Sequence, residues 1–287
     1  MKSVYPFLAD YGKDFGWFRT GGPGLANCMF VAARAYSYAK KYDAEFIDPT
    51  WFKLSVGPYI RREKDKRHYL GLFEQIGITG MKKWSLIHKV THTEKELKAF
   101  EIAKNGVLKV NTLGNYFKDI NPQDAKEYFD RAIKHSIKDV VLKDDFSKKI
   151  AVHVRLGDYV NYADILTPVE WYVKVIKKFA KLNPELEFCV FSDGTDEQLE
   201  EILALPNTHR VFYGSALADI YAISQCQFVV ASHSTFSAWG AFMGHKPIVF
   251  HKCGFMPIYN DNSQIQYVLG DFEKLPEDVM DFIKTII

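Results

Sequence analysis

Downstream of residue 149, short apolar runs alternate with stretches of helical periodicity. Strands are predicted over 150–154, 187–191, 210–212, 228–231 and 247–250, separated by helices over 168–181, 196–203, 217–224 and 236–243. Strands covered on both faces read as continuous apolar runs, so this alternation predicts a parallel, doubly wound sheet. Upstream the pattern is looser. Residues 15–20 read as a strand that ends in Gly21-Gly22-Pro23-Gly24. A helix over 25–42 follows, its apolar residues Leu25, Met29, Ala32, Ala33, Tyr36 and Ala39 close to helical spacing, and then a strand over 44–47. Strand, glycine turn, helix and strand make one βαβ unit, whose turn suits a phosphate or hydroxyl, although glycines there also serve tight geometry alone. Residues 50–115 are irregular apart from a strand over 107–110. A helix is predicted over 121–138, with Pro122 in its first turn. The polar stretch 138–148 reads as a linker, giving two α/β domains, 1–145 and 146–287, with a cleft between them.

Composition narrows the classes of partner. The chain has 287 residues, 47% hydrophobic and 25% charged, as expected of a soluble globular protein. Its 37 basic and 35 acidic residues leave a net charge of +2, which excludes a polybasic nucleic-acid footprint. The densest basic cluster, Arg61-Arg62-Glu63-Lys64-Asp65-Lys66-Arg67, carries its own acids and reads as a solvated loop. Contact with a membrane surface or an acidic glycan is its lesser reading. Cys28, Cys189, Cys226 and Cys253 are scattered with no C-x-x-C pair, so buried free thiols in a reducing compartment are expected. Asp10, Lys13 and Asp14 interrupt any secretory pattern, and no run nears the ~20 apolar residues of a membrane span. A cytoplasmic location, with peripheral membrane contact at most, is the expectation.

The candidate chemistry lies at predicted strand ends, where open α/β sheets bind ligands. His153, Arg155 and Asp158 follow the first strand of the second domain. A guanidinium there matches two phosphate oxygens at once, and the bland alternative is a simple Arg155–Asp158 pair. Asp193 closes the next strand as a ligand contact or a helix cap, and Asp219 opens a helix where the same choice holds. Ser234, Thr235 and Ser237 lie at a predicted helix N-terminus, whose free N–H groups and dipole favour an anion. Several hydroxyls opposite an arginine-bearing junction read best as a diphosphate site. The chain has no G-x-x-x-x-G-K-[ST] loop, no G-x-S-x-G elbow, no D-x-D and no metal-ligand spacing of histidines with cysteines. Arginine, hydroxyls and backbone amides, rather than a metal, would then neutralise a diphosphate leaving group.

Taken together, these segments resemble the α-1,2-fucosyltransferases of glycosyltransferase family 11 and the wider fucosyltransferase superfamily. Gly24-Leu-Ala-Asn-Cys-Met-Phe30 is similar to G-L-G-N-Q-M-F, His153-Val-Arg-Leu-Gly-Asp-Tyr159 to H-x-R-R-G-D-Y, and Phe191-Ser-Asp193 to F-S-D-D. Asp219 with Ser224-Gln-Cys226, then Ser234-Thr-Phe-Ser-Ala-Trp-Gly240, resemble D-x-x-x-x-S-x-C followed by S-T-F-S-W-W-G. The resemblance implies a GT-B-type fold of two Rossmann-like halves, a GDP-fucose donor, an oligosaccharide acceptor, no metal or other cofactor, and inversion at the fucosyl carbon. It implies that Arg155 holds the diphosphate, with Ser234, Thr235, Phe236 and Ser237 completing that pocket. His153 and Asp219, with Asp193, would seat the guanosine, and Asn27 on the glycine loop would face the reacting centre. Asp158 is the candidate general base, or else it orients Arg155. Leu156 replaces the second arginine, Gly194 the second aspartate, Ala26 and Cys28 a glycine and a glutamine, and Ala238 a tryptophan. These departures imply a divergent member. Another nucleotide-linked deoxysugar as donor, or a non-catalytic nucleotide-sugar-binding protein, are the competing expectations.

Overall fold

The computed structural model describes residues 1–60, 65–157, 164–254, 256–259, 264–271 and 273–287. The chain divides into two compact units, Met1–Lys138 and Asp139–Ile287.

The first unit contains, in order, β1 (Lys2–Pro6), β2 (Arg19–Thr20), α1 (Leu25–Lys41), β3 (Glu45–Phe46), β4 (Lys53–Leu54), α2 (Gly57–Ile60), α3 (Gly80–Ile87), β5 (His92–Thr93), α4 (Leu97–Ile102), β6 (Gly106–Val110), α5 (Pro122–Ala132) and α6 (His135–Val141), the last of these crossing into the second unit. Its main sheet runs β3-β1-β6-β5, all parallel, and β2 and β4 form a separate two-stranded ribbon. The βαβ unit is present, but its first strand is β1 rather than residues 15–20. In that stretch Gly16 N–H donates to Asp14 Oδ1 at 2.7 Å, an antiparallel bridge joins Asp14 to Arg19, and only Arg19 and Thr20 form a strand. Five-residue β1 is too short for its pattern to announce it; pairing with β3 and β6 on either side makes it a central strand.

The helix predicted over 121–138 is two helices. Asn121 caps α5 by accepting from Asp124 N–H at 2.9 Å, with Pro122 in the first turn as expected. The break follows at Ile133, which is extended and bridges to Phe73, so a tertiary partner overrides local helical preference. The irregular middle region also holds α3 and α4, which are too short to show a sustained period.

The second unit contains β7 (Lys149–Val154), α7 (Val169–Leu182), β8 (Glu187–Ser192), α8 (Glu200–Leu203), β9 (Thr208–Arg210), α9 (Ala216–Gln225), β10 (Phe228–Ala231), α10 (Thr235–Gly244), β11 (Ile248–His251), β12 (Gln266–Leu269) and α11 (Glu277–Thr285). All six strands are parallel, in the order β12-β11-β10-β7-β8-β9. This is the doubly wound sheet that the alternation predicts, extended by β12 and α11. The strand expected over 210–212 lies two residues earlier, where Thr208 pairs with Phe188. The division falls at Lys138 rather than after 145. Asp144 accepts from Tyr213 Oη at 2.5 Å and pairs with Lys149 at 2.9 Å, and Phe146 O accepts from Gln227 at 3.0 Å, so the expected linker is tied to the second unit.

Central β7 is buried from Ile150 to Val154. Against it pack Trp171, Tyr172, Val175, Ile176 and Phe179 of α7, spaced to form one helical face. Each such side chain withdrawn from water contributes ~1.5–3 kcal/mol, which anchors β7 firmly in this unit. Cys28, Cys189 and Cys226 are buried and all four cysteines are free thiols. Among the described residues, no helix is long and apolar enough to cross a membrane.

Candidate functional site

Three neighbouring strands of the second unit end in register. Ala231 of β10, His153 of β7 and Phe191 of β8 are cross-strand partners, so the loops that follow lie side by side. This row is the carboxyl edge of a parallel sheet, the place where such sheets bind ligands.

His153 is buried, and its Nδ1 lies 2.9 Å from Ser232 Oγ at the end of β10. Its ring stacks on Phe236, centroids 5.1 Å apart and planes 17° from parallel. Burial pushes its imidazole down to about 3, the charge of Asp193 opposing and that of Arg155 adding to the shift. His153 is therefore neutral at physiological pH, a hydrogen-bonding and packing group rather than a cation.

Arg155 turns toward the opposite neighbour. Its Nη1 pairs with Asp193 Oδ2 at 2.6 Å, both side chains about one-quarter exposed at 27% and 23%. The other carboxylate oxygen, Oδ1, accepts from the backbone N–H of Leu156 at 2.9 Å and of Gly157 at 3.2 Å. A Cβ at Gly157 would overlap the Asp193 carboxylate, so only glycine lets the loop close on it. Ser192 adds a second stitch, donating to Val154 O at 2.6 Å and accepting from Gly194 N–H at 3.0 Å. Asp193 thus clamps the β7 loop and orients the guanidinium rather than capping the helix that follows. Asp158, expected as base or as partner of Arg155, lies outside the described residues.

Two departures from the family pattern meet here. Leu156 is buried, and its Cδ1 would lie 2.6 Å from a Cβ at Gly194. A leucine against a glycine fills the space where the pattern has an arginine and an aspartate.

On the β10 side, Ser234 caps α10 by accepting from Phe236 N–H at 3.2 Å. Thr235 is the first helical residue and partly exposed. Ser237 is fully buried and donates to Ser234 O at 3.4 Å, so it supports the helix start from beneath instead of lining a surface. Gly240 lets α10 approach α9, since a Cβ there would overlap Ile223. Asp219, in the first turn of α9, is nearly buried and accepts from Tyr213 N–H at 2.7 Å, which fixes the loop after β9. Sequence reasoning missed two groups at this edge. Ser232 aligns His153, and His233 has a buried Nδ1 with no hydrogen-bond partner among the described residues. Both lie inside the serine-rich stretch, but nothing in their spacing singles them out.

Asn27 belongs to the first unit. It is the third residue of α1 rather than part of the glycine loop, and it lines a cavity of about 250 Å³ with Phe7, Leu8, Asn111 and Leu113 at the carboxyl ends of β1 and β6. The loop itself is braced by a residue that the sequence did not flag. Arg19, completely buried, donates to Gly21 O at 2.6 Å, Thr50 O at 3.0 Å and Cys28 Sγ at 3.4 Å. Gly21 and Gly22 have φ of +68° and +85°, and a Cβ on Gly22 would overlap both Leu8 O and the Arg19 guanidinium.

The profile described as glycosyl transferase family 11 matches residues 94–250, more than half of the chain. The chain belongs to glycosyl transferase family 11. The match contains the whole β7, β8, α9 and α10 row and leaves out Asn27. A curated relative, the O-antigen biosynthesis glycosyltransferase WbnK of Escherichia coli, is 26% identical over 101 residues, which is 32% of this chain and only 33% of that protein. The crystal structure of NodZ alpha-1,6-fucosyltransferase soaked with GDP-fucose aligns with a TM-score of 0.56 at 15% identity, covering 88% of this chain and 95% of its own. Fucosyltransferase NodZ from Bradyrhizobium aligns at 0.54 and 14%, covering 86% and 94%. These structures share the fold of this family 11 chain, which is α/β of GT-B type with parallel sheets.

Proposed function

We propose that this chain transfers L-fucose from GDP-fucose to O2 of a galactoside-type acceptor, with inversion and without a metal, in glycan, lipopolysaccharide or capsule synthesis. Membership of family 11 supports glycosyl transfer. NodZ, of like fold, is a fucosyltransferase whose crystal was soaked with GDP-fucose, and WbnK is an O-antigen biosynthesis glycosyltransferase. The observation that carries the reading is the Arg155–Asp193 pair one strand end away from the His153–Ser232–Phe236 cluster and the start of α10.

In this reading the acceptor oxygen attacks the fucosyl carbon while the bond from that carbon to the β-phosphate oxygen breaks. The bonding electrons pass to the phosphate, and the hydroxyl proton passes to Asp158. Negative charge grows on the leaving diphosphate as the sugar becomes cation-like, so donors already aimed at it lower the barrier most. Arg155 is such a donor, held in place by Asp193 before the donor binds. The N-terminal amides of α10 at Ser234 and Thr235 supply a second, with the helix dipole behind them. Neutral His153 and Phe236 present a flat, uncharged surface for the nucleoside, and Asp219 contributes a carboxylate to its recognition. Ser237 acts by holding the start of α10.

The test is mass spectrometry of the protein incubated with GDP-fucose and a panel of β-galactosides, with linkage read by NMR. The expected product carries one added deoxyhexose at O2. Thermal melts with GDP, UDP and dTDP should show stabilisation by GDP, since a ligand that binds only the native state raises stability by mass action. Stabilisation by dTDP alone would replace the donor, and neither transfer nor nucleotide-dependent stabilisation would remove the reading.

A further inference from the structure

The first unit handles two buried arginines in opposite ways. Arg34 on α1 is paired with Glu94 at 2.7 Å, the side chains only 7% and 11% exposed. Arg19 is more deeply buried, yet its acceptors are two carbonyls and a neutral thiol. Beside it, Lys53 on β4 is its register partner in the parallel ribbon and donates to Gly22 O at 2.7 Å. Two like charges directly opposite across a strand pair repel, and cations removed from water are ordinarily paired with an acid. The groups close enough to act electrostatically on Lys53 are Arg19, Arg67 and Cys28, and burial keeps the Cys28 thiol protonated. No acid is among the groups that act on Lys53.

A cavity of about 270 Å³ opens at the same ribbon, lined by Lys53, Ser55, Tyr59 and His68 together with the apolar Phe52, Leu54 and Leu70. Tyr59 is more than half exposed, at 56%, and Lys66 lies over its ring with Nζ 5.4 Å from the centroid, which adds a second cation beside the cavity. The lining therefore sets a cation and a hydroxyl among apolar and aromatic side chains, a set suited to a sugar bearing an oxyanion. We propose that this pocket binds an anionic saccharide unit of the acceptor, a uronic acid or a sugar phosphate, through a charge-assisted hydrogen bond from Lys53. The proposal rests on the transferase reading for the word acceptor, but the pocket's preference for charge is measurable without turnover.

The experiment is calorimetric titration of the intact protein with methyl β-D-glucuronide, galactose 6-phosphate, methyl β-D-glucoside, methyl β-D-galactoside and inorganic phosphate. Each is measured on the wild type, Lys53→Met and Lys53→Arg, with GDP titrated in parallel. Either acidic sugar should bind roughly tenfold more tightly than its neutral counterpart, which corresponds to ~1.4 kcal/mol. The difference should disappear in Lys53→Met, persist in Lys53→Arg, and leave GDP affinity unchanged in both. The acidic sugar that carries it identifies the class, carboxylate or phosphate. Equal binding of acidic and neutral sugars would overturn the proposal, as would a preference that survives Lys53→Met or inorganic phosphate binding as tightly as galactose 6-phosphate. Failure of GDP to bind the wild type would instead count against the transferase reading, leaving the sugar titrations to decide the pocket separately.

Discussion

In the second unit the Asp193 carboxylate sits between a guanidinium and two backbone amides. In the first unit Arg19 and Lys53 lie side by side, with carbonyls and a thiol as their acceptors. The difference is one of completeness. At the edge of the six-stranded sheet the Arg155 and Asp193 charges answer each other, and Leu156 and Gly157 are stitched in place before any ligand arrives. Preorganisation of that kind suits charge that develops during a reaction, because little rearrangement is needed at the decisive moment. The β2–β4 ribbon holds positive charge that its own residues leave uncompensated. That favours binding an anion that is present throughout.

The largest expected effect separates these roles. Arg155→Ala should lower kcat/KM with GDP-fucose by roughly 10²–10³, in line with the loss of a transition-state donor, while circular dichroism shows an unchanged fold. Near-wild-type turnover in that variant would mean that the second unit's cation is as passive as a surface ion pair. Next, Gly22→Ala should destabilise the protein by roughly 1–3 kcal/mol, because alanine at positive φ is strained and its Cβ meets Leu8 O and Arg19. Gly24→Ala, at φ −66° with open space around it, should be close to neutral in the same denaturant titration. Equal costs at the two positions would show that Arg19 does not brace the loop.

Asp193→Asn should have a smaller effect on stability, about 1 kcal/mol, since the pair is partly solvent-screened and the amide oxygen can still accept from Leu156 N–H. GDP affinity should fall more than stability does, because the guanidinium loses its orientation. An unchanged nucleotide affinity would reduce Asp193 to a loop clamp. The last expected effect is a pH slope. His153 is held at about 3 when folded and near 6.5 when unfolded, so the unfolded chain binds the extra proton between those values. Its contribution is complete above pH 6.5 and lost as pH falls toward 3, at up to ~1.4 kcal/mol per pH unit. His153→Gln should flatten the stability profile by about one proton over that range; an identical slope would show that His153 is protonated in the native state.

Much of the second unit was legible because its signal is local. A run such as Ile150–Val154 and the periodic face of α7 declare strand and helix whatever their partners, and parallel packing follows from the alternation. The candidate row was legible for the same reason, since strand ends in such a sheet share one edge. The first unit was harder to read. β1 is a strand through its neighbours, and the helix over 121–138 breaks where Ile133 meets Phe73.

Residue order alone therefore settled the fold class, the kinship with family 11 and the strand ends that could hold a nucleotide, because periodicity and motif are properties of contiguous segments. Folding in three dimensions settled which groups answer one another. Ser232 meets His153 across 79 positions and Asp193 meets Leu156 across 37, while Arg19 faces Lys53 because two short strands run parallel. Such pairings carry energies that depend on distance and desolvation, and neither quantity exists until the chain has folded.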